Sequence, residues 1–450
     1  MWKDKCGLFG IYTQKEEDLF HLMYLGLSAL QHRGQESAGI AATDGNSMYL
    51  QKGVGLVSEA LHDNEIGQRK EMAAIGHVRY STYGASVLDN AQPLVAKYSG
   101  GVIAVAHNGN IVNADTLRER LEYAGSIFQS ATDTEIIIHL LARLPGKTVE
   151  DALMSILKEL KGAYSLLILT TEKLIAIRDP WGFRPLSIGR LDDKILIASE
   201  SCAFDIMGAK PVREIEPGEM VIIDKEGEKS IRFAKSKEHF CTFEFVYFAR
   251  PDSRLYGRDV YKVRKSLGEE LAREKSIEAD VVIPVPDSGT PAALGYAQAS
   301  GIPFDFGIIR NRYVGRTFIQ PTQFTRSLGV RIKLNPLPDI VKDKRVIIVD
   351  DSIVRGTTSR MIVKMLRDAG AREVHFRISS PPVKFPCFYG IDTPDREKLI
   401  ASSSNPTDIA KFLGADSVEY LSIDGMVKAI GLPEDKVCLA CFNGKYPVLE

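Results

Sequence analysis

Cysteine is scarce, with six residues in 450. That density is far below a secreted scaffold held by disulfides, so the thiols are expected in a reducing compartment, as catalytic, metal-binding or buried groups. No apolar run approaches the roughly 18 residues of a membrane span, and Met1-Trp2-Lys3-Asp4-Lys5 is not followed by the apolar stretch of a signal peptide. The expectation is a cytoplasmic chain without a membrane partner. A surplus of either charge is also missing: 57 Lys and Arg stand against 58 Asp and Glu, a formal charge of −1. Nucleic acid would require a basic stripe, so no nucleic-acid partner is expected. A small phosphorylated ligand needs only a few backbone amides and one or two cations. Internal repeats and low-complexity tracts are absent.

What is present is ordinary globular composition, 44% hydrophobic and 26% charged, with length for two or three domains. The two halves differ in rhythm. Up to about Asp224, short strand-like runs alternate with turns: Cys6–Thr13, Ala38–Thr43, Ala74–Tyr80, Val102–His107, Tyr164–Thr170, Lys173–Ile177, Ile195–Ser199 and Met220–Asp224. Helices are predicted at Leu19–Gln31, Asp133–Leu144 and Glu150–Leu160, the last on the spacing of Leu153, Ile156, Leu157 and Leu160. This pattern predicts a layered, antiparallel α+β domain. After about Ser236 the apolar runs Val281–Val285, Phe304–Ile309, Val346–Val349 and Val374–Ile378 alternate with helical stretches such as Val260–Lys275 and Thr358–Ala369. Those runs suit an α/β domain built on a parallel sheet covered on both faces.

The stretch Val346-Ile347-Ile348-Val349-Asp350-Asp351-Ser352-Ile353-Val354-Arg355-Gly356-Thr357-Thr358 sends a buried strand into two acids, a short loop and a helix. Carboxylates at the carboxyl end of a parallel strand lie where open α/β sheets bind ligands. There they can accept from ribose hydroxyls or help hold a divalent cation, while the loop presents amides to an anion at a helix N-terminus. The plainer alternative is a surface turn with Thr357 or Thr358 as N-cap. Pro286-Asp287-Ser288-Gly289 closes the strand Val281–Val285; alone it is a turn, but beside a ribose-phosphate site Ser288 and its neighbours can meet pyrophosphate or metal. Arg310–Lys333 is weakly patterned, either a solvated loop or a cover over substrate.

Cys6-Gly7-Leu8-Phe9-Gly10 lies close to the chain start. An ordinary thiol, of pKa about 8.5, is a modest nucleophile without a base, and an α-amino group near 7.7–8.0 can serve as one. That chemistry requires removal of Met1–Lys5, so that Cys6 becomes residue one. The plainer alternative is a small cysteine in an edge strand. Of the other thiols, Cys438 and Cys441 form a C-x-x-C pair that Cys241 and Cys387 can complete. By spacing alone structural zinc is at least as good a fit as an iron–sulfur cluster. Cys202 is expected in a core.

The order Asp350 to Thr358 is similar to the signature of type I phosphoribosyltransferases. Gln31–Gly39, Arg79-Tyr80-Ser81-Thr82, His107-Asn108-Gly109-Asn110 and Asp133-Thr134-Glu135, following Cys6, resemble the N-terminal-nucleophile glutaminase domain of glutamine amidotransferases. Together the two halves resemble the glutamine phosphoribosylpyrophosphate amidotransferase family over nearly the whole chain. The resemblance implies a leader of residues 1–5, a glutaminase domain of αββα layers over 6–236, and a phosphoribosyltransferase domain over 237–450. It implies Cys6 as nucleophile, Asn108 and Gly109 as oxyanion donors, and Arg79, Thr82 and Asp133 around glutamine. It implies 5-phosphoribosyl 1-pyrophosphate held by Asp287, Ser288, Gly289, Asp350, Asp351, Ser352, Arg355, Gly356, Thr357 and Thr358, with Mg2+ near Ser288, Asp350 and Asp351. It also tips Cys241, Cys387, Cys438 and Cys441 toward a [4Fe-4S] cluster, and implies a homotetramer inhibited by purine nucleotides. The alternatives are an amidotransferase acting on another sugar phosphate and a non-enzymatic regulator that binds phosphoribosyl pyrophosphate.

Overall fold

A computed structural model describes residues 6–63, 70–80, 87–311, 333–393 and 395–449. The expected leader Met1–Lys5, Thr82 and most of Arg310–Lys333 lie outside the described residues.

Alternating side chains in the first half sort into two antiparallel sheets. The seven-stranded sheet runs in the order Lys210–Glu214, Ser187–Leu191, Lys194–Ala198, Gly7–Glu17, Glu71–Arg79, Ser37–Thr43 and Met48–Val54. The six-stranded sheet runs Gly227–Arg232, Glu219–Asp224, Leu174–Arg178, Gly162–Leu169, Gly101–Ile111 and Leu94–Tyr98. Leu8, Tyr12, Ala41 and Ile75 of the first meet Ala104, Leu167, Ala176 and Val221 of the second in one buried layer. Outside it, the helix Phe20–Ala29 covers one sheet, and Ala114–Tyr123, Thr134–Ala142 and Val149–Ile156 cover the other. Because side chains alternate faces with period two, each strand feeds the central layer and one outer layer. The result is the expected αββα stack.

One alternative and one expectation are corrected here. Gly7–Glu17, the strand that Cys6 leads into, is not at an edge; it lies between Lys194–Ala198 and Glu71–Arg79. The helix expected over Leu19–Gln31 stops at Ala29, and Gln31–Arg33 forms a separate 3-10 turn that turns Arg33 inward.

In the second half the parallel sheet has four strands, Val281–Pro284, Arg345–Asp350, Glu373–Ile378 and Ser417–Tyr420. Ile347 and Val349 face a core with the helices Val260–Glu274, Thr290–Ser300 and Ile423–Ile430, while Val346 and Ile348 face Thr357–Asp368 and Pro406–Leu413. The run Phe304–Ile309 does not join as a strand. Phe304 makes one bridge to Val282, and Ile308–Arg310 pairs instead with Leu334–Pro336 outside the main sheet. A run with polar Asp305 inside it cannot present a continuous apolar edge on both faces.

Four buried charges join the halves. Arg33 donates from both terminal nitrogens to Glu244, at 3.1 Å each, and also bonds Glu200. Arg184 lies 3.4 Å from Glu244. Glu200 further accepts from the Ser253 hydroxyl at 2.7 Å and the Arg250 amide at 2.9 Å. All four side chains are fully shielded from solvent, and Glu244 opens the π-helical turn Glu244–Phe248. Deleting one member of a buried pair leaves the other charge uncompensated. Glu244→Ala should therefore destabilise the protein by about 3–5 kcal/mol, read as a lower denaturant midpoint; an unchanged midpoint would refute the assignment of Glu244 as the pivotal carboxylate.

Candidate active site

Pairing register brings the first group of residues together. Gly7 opposes Val78, and Ser37 opposes Arg79, so Cys6 emerges beside the end of the strand that carries Arg79. Cys6 is buried, its sulfur lies 3.6 Å from the Tyr80 carbonyl, and its own carbonyl accepts from Arg33 Nε at 3.0 Å. Burial pushes the thiol above its ordinary value, opposed by the Tyr80 contact and the Arg79 charge; Asp133 raises it further. The Arg79, Asp133 and Arg33 charges thus all act on this sulfur.

The second sheet adds Asn108 and Gly109, which oppose Ser165 and Tyr164. His77 ties the sheets together, donating from Nε2 to the His107 carbonyl at 3.0 Å. Burial lowers the His77 pKa to about 3, so the ring is neutral and its tautomer is fixed by that acceptor. Asn108 is 1% exposed, and its Nδ2 has no hydrogen-bond partner among the described residues. A buried donor left unmade costs about 1–3 kcal/mol; the His77 Nδ1 and the Tyr164 hydroxyl nearby are likewise without a partner among the described residues. Asp133 accepts from the Ile111 amide at 2.9 Å and stands 3.4 Å from His107 Nδ1. Burial disfavours its charge, but His107 and the Ile111 and Thr134 amides outweigh burial and hold the carboxyl below its ordinary value. Arg79 is 3% exposed, with Glu36 at 3.9 Å.

The second group gathers at the end of Arg345–Asp350. Asp350 and Asp351 are both buried. Burial, then the Asp351 charge, drives the Asp350 carboxyl well above its ordinary value. Asp351 is raised by burial and eased by the Ser352 and Ser288 hydroxyls and by Arg264; Ser352 donates to it at 2.5 Å. Two crowded buried carboxyls with Ser288 make an all-oxygen donor set, the kind that suits a hard cation such as Mg2+. Gly356, at φ +72°, caps the helix Thr357–Asp368, so neither Thr357 nor Thr358 is the N-cap; the left-handed turn selects glycine. Arg355 and Thr357 are exposed and Thr358 half-buried at this helix start, where amides favour an anion. Gly289 caps Thr290–Ser300. Asp287 points outward and pairs with Arg310 at 2.9 Å.

The four scattered thiols also converge. Cys241, Cys387, Cys438 and Cys441 line one cavity with Phe183, Arg184, Thr242, Tyr389, Ile391 and Ala440, because Phe240–Cys241 pairs in parallel with Val437–Cys438. Among the described residues no three acidic, histidine or cysteine side chains are disposed to hold a single metal ion. The thiols surround a space rather than a point, and burial raises all four, with the Arg184 charge easing Cys241 and Cys387. Four sulfur donors around an enclosed space fit an iron–sulfur group in kind. Cys202 is the expected core cysteine, 2% exposed.

Sequence reasoning assigned no role to Glu200, Glu244, Arg184 or His77. One signal was available: Glu244 interrupts the apolar run Phe243-Glu244-Phe245-Val246-Tyr247-Phe248, and a charge in such a run is expected to be paired.

The sequence pattern of the glutamine amidotransferase domain matches residues 77–205, and that of the phosphoribosyl transferase domain matches 258–379. The amidophosphoribosyltransferase of Bacillus subtilis (strain 168) is 52% identical over 450 residues, covering 99% of this chain and 94% of its own. That of Methanocaldococcus jannaschii is 50% identical over 461 residues, covering 98% and 97%. A solved structure of glutamine phosphoribosylpyrophosphate amidotransferase from B. subtilis, complexed with ADP and GMP, superposes with a TM-score of 0.92 at 52% identity, over 98% of this chain and 97% of that one. With both domains matched and half of all positions identical along nearly its full length, the chain belongs to the amidophosphoribosyltransferase family.

Proposed function

We propose that this enzyme hydrolyses glutamine at Cys6 and passes the ammonia to C1 of 5-phosphoribosyl 1-pyrophosphate, giving 5-phosphoribosylamine, glutamate and pyrophosphate, the first step of de novo purine synthesis. One observation carries the glutaminase half. The unpartnered, buried Asn108 Nδ2 lies beside His107, whose carbonyl bonds His77, two residues from the Arg79 that acts on the Cys6 sulfur.

The steps follow from the groups present. Removal of residues 1–5 frees the α-amine of Cys6, which takes the thiol proton. The thiolate attacks the side-chain amide, and Asn108 Nδ2 with the Gly109 amide holds the oxyanion. The C–N bond breaks as the α-ammonium returns its proton to the leaving nitrogen, releasing ammonia; water then cleaves the thioester to glutamate. Arg79 pairs with the substrate carboxylate and Asp133 with its ammonium, with Thr82 nearby in sequence. Ammonia is nucleophilic only when unprotonated, which favours a sheltered passage between the two sites over release into water.

At the second site Asp350 and Asp351 accept from the ribose hydroxyls. Arg355, Gly356, Thr357 and Thr358 hold the 5-phosphate, Ser352 lies in the same substrate-binding loop, and Asp287, Ser288 and Gly289 face pyrophosphate. Mg2+ bound with the substrate near Ser288, Asp350 and Asp351 would offset the charge of the leaving pyrophosphate. In this reading residues 6–236 form the glutaminase domain and 237–450 the phosphoribosyltransferase domain. A [4Fe-4S] cluster on Cys241, Cys387, Cys438 and Cys441 would tie together three distant segments of chain. The B. subtilis relative complexed with ADP and GMP supports purine nucleotides as inhibitors here, and the family supports a homotetramer. No described helix is long and apolar enough to cross a membrane.

Cys6→Ala should lower glutamine-dependent phosphoribosylamine formation by about 10^3-fold or more while ammonia-dependent formation persists; equal loss of both would make Cys6 structural. Alkylation supplies a second check. Burial raises the Cys6 pKa, so in the full chain the thiolate fraction at neutral pH falls below that of an ordinary thiol. Its labelling should be slow and climb about tenfold per pH unit, and removing residues 1–5 should speed labelling at neutral pH. A rate independent of the leader would contradict the α-amine as base. Anaerobically purified protein should contain about four iron and four sulfide per chain; one zinc per chain without sulfide would replace the cluster with a structural zinc site.

A further inference from the structure

The strand Gly101–Ile111 carries Asn108 and Gly109 to the border of the first half, and what they meet there comes from the second. Asn110 Nδ2 donates to the Phe388 carbonyl at 3.0 Å. Gly390, at φ +97°, lies so close that a Cβ on it would sit 2.9 Å from the Gly109 carbonyl carbon and 3.0 Å from its Cα and oxygen. On the other side a Cβ on Gly109 would come 2.0 Å from the Ala163 oxygen. The Gly109 peptide is therefore wedged between its own sheet and the turn Cys387–Ile391.

That turn is held rigidly. The Tyr389 carbonyl accepts two N–H bonds from buried Arg184, the same side chain that faces Glu244. Its ring stacks on Phe183 with centroids 4.1 Å apart, and its hydroxyl donates to the Val448 carbonyl at 2.7 Å. The Tyr389 amide lies 3.3 Å from the sulfur of Cys387, one wall of the four-thiol cavity.

We propose that the Cys387–Ile391 turn is a positioning element for amide hydrolysis, fixing the Asn108–Gly109 donors from behind through Asn110 and Gly390. This rests on Asn108 and Gly109 being the oxyanion donors. Donors stabilise a developing charge only when held within about 0.5 Å of the productive geometry. The second half of the chain thus completes the active site of the first without touching its substrate, and the thiol cavity shares its wall with that support.

The experiment uses the full-length enzyme with Asn110→Asp, Asn110→Ala and Gly390→Ala. Aspartate keeps the shape of asparagine but cannot donate when ionised, and a methyl at 390 presses on the Gly109 peptide. Each should lower kcat for glutamine hydrolysis by about 10- to 100-fold, with KM for glutamine changed less than about twofold. Ammonia-dependent synthesis should be unchanged. The γ-aldehyde analogue of glutamine adds the Cys6 thiol to form a tetrahedral adduct whose oxygen occupies the oxyanion position. Its affinity should weaken by the same factor as kcat, while inhibition by glutamate stays constant. Wild-type kcat in all three variants would overturn the proposal, as would a parallel loss of the ammonia-dependent activity or unaltered affinity for the aldehyde. Asn108→Ala separates the two layers. If it leaves hydrolysis intact, the oxyanion reading itself fails; if it abolishes hydrolysis while the Asn110 and Gly390 variants do not, only the positioning role is wrong.

Discussion

The arrangement depends on a cluster of two arginines and two glutamates shielded from solvent. Arg33, Arg184 and Glu200 come from the first half of the chain and Glu244 from the second, Arg184 lying in the segment that links Leu174–Arg178 of one sheet to Ser187–Leu191 of the other. Taking four charges out of water is expensive, and a well-packed apolar replacement can be as stable. What the cluster supplies is geometry: a guanidinium that binds a carboxylate through two parallel bonds fixes both direction and distance. Arg33 also holds the Cys6 carbonyl, so the docking of the halves and the seating of the nucleophile are set by one side chain.

From this junction the two sites inherit their relation. The π-helical turn opened by Glu244 is gripped from the other side by Arg264, which donates to the Phe245 carbonyl at 2.7 Å and the Ala249 carbonyl at 2.8 Å. The charge of Arg264 in turn reaches Asp351. Buried hydrogen bonds therefore run from the Cys6 backbone through Arg33 and Glu244 to the turn that Arg264 holds, and only the charge of Arg264 extends from there to Asp351. Those hydrogen bonds are directional and lie in a medium of low dielectric where such contacts are strong. Arg184 adds a branch to the Tyr389 carbonyl and the thiol cavity. The thiol nucleophile and the cysteine cavity thus both border one ionic core, and the charge of Arg264 acts on both that core and the acid pair.

Much of the fold was legible because the relevant signals are local. The continuous apolar run Val346–Val349 specifies a strand buried on both faces, and its side chains do divide between two cores. The acids that follow it lie at the strand's carboxyl end by covalent necessity. Gly356 takes the left-handed turn that the threonines after it cannot. The errors have equally local causes. Phe304–Ile309 has strand composition, yet the partner of its end, Leu334–Pro336, lies far along the chain and outside the sheet. Leu19–Gln31 keeps its apolar periodicity to the end, but the helix breaks at Leu30, where the chain turns Arg33 into the charge cluster.

The sequence by itself determined the chemistry: a thiol near the chain start, an acid pair at a strand end, and four cysteines whose types limit what they can bind. These are properties of residue identity and of spacing within about a dozen positions, which covalent geometry preserves. Only the tertiary structure decided which of these residues share a space. Cys241, Cys387, Cys438 and Cys441 span two hundred positions; a parallel pairing joins Cys241 to Cys438, and Cys387 reaches the same cavity from a third segment. Glu244 finds Arg33 across an interface that no periodicity announces, and Gly390 reaches Gly109 from the opposite half of the chain. Such contacts depend on how two finished cores pack, and local sequence carries no record of the partner.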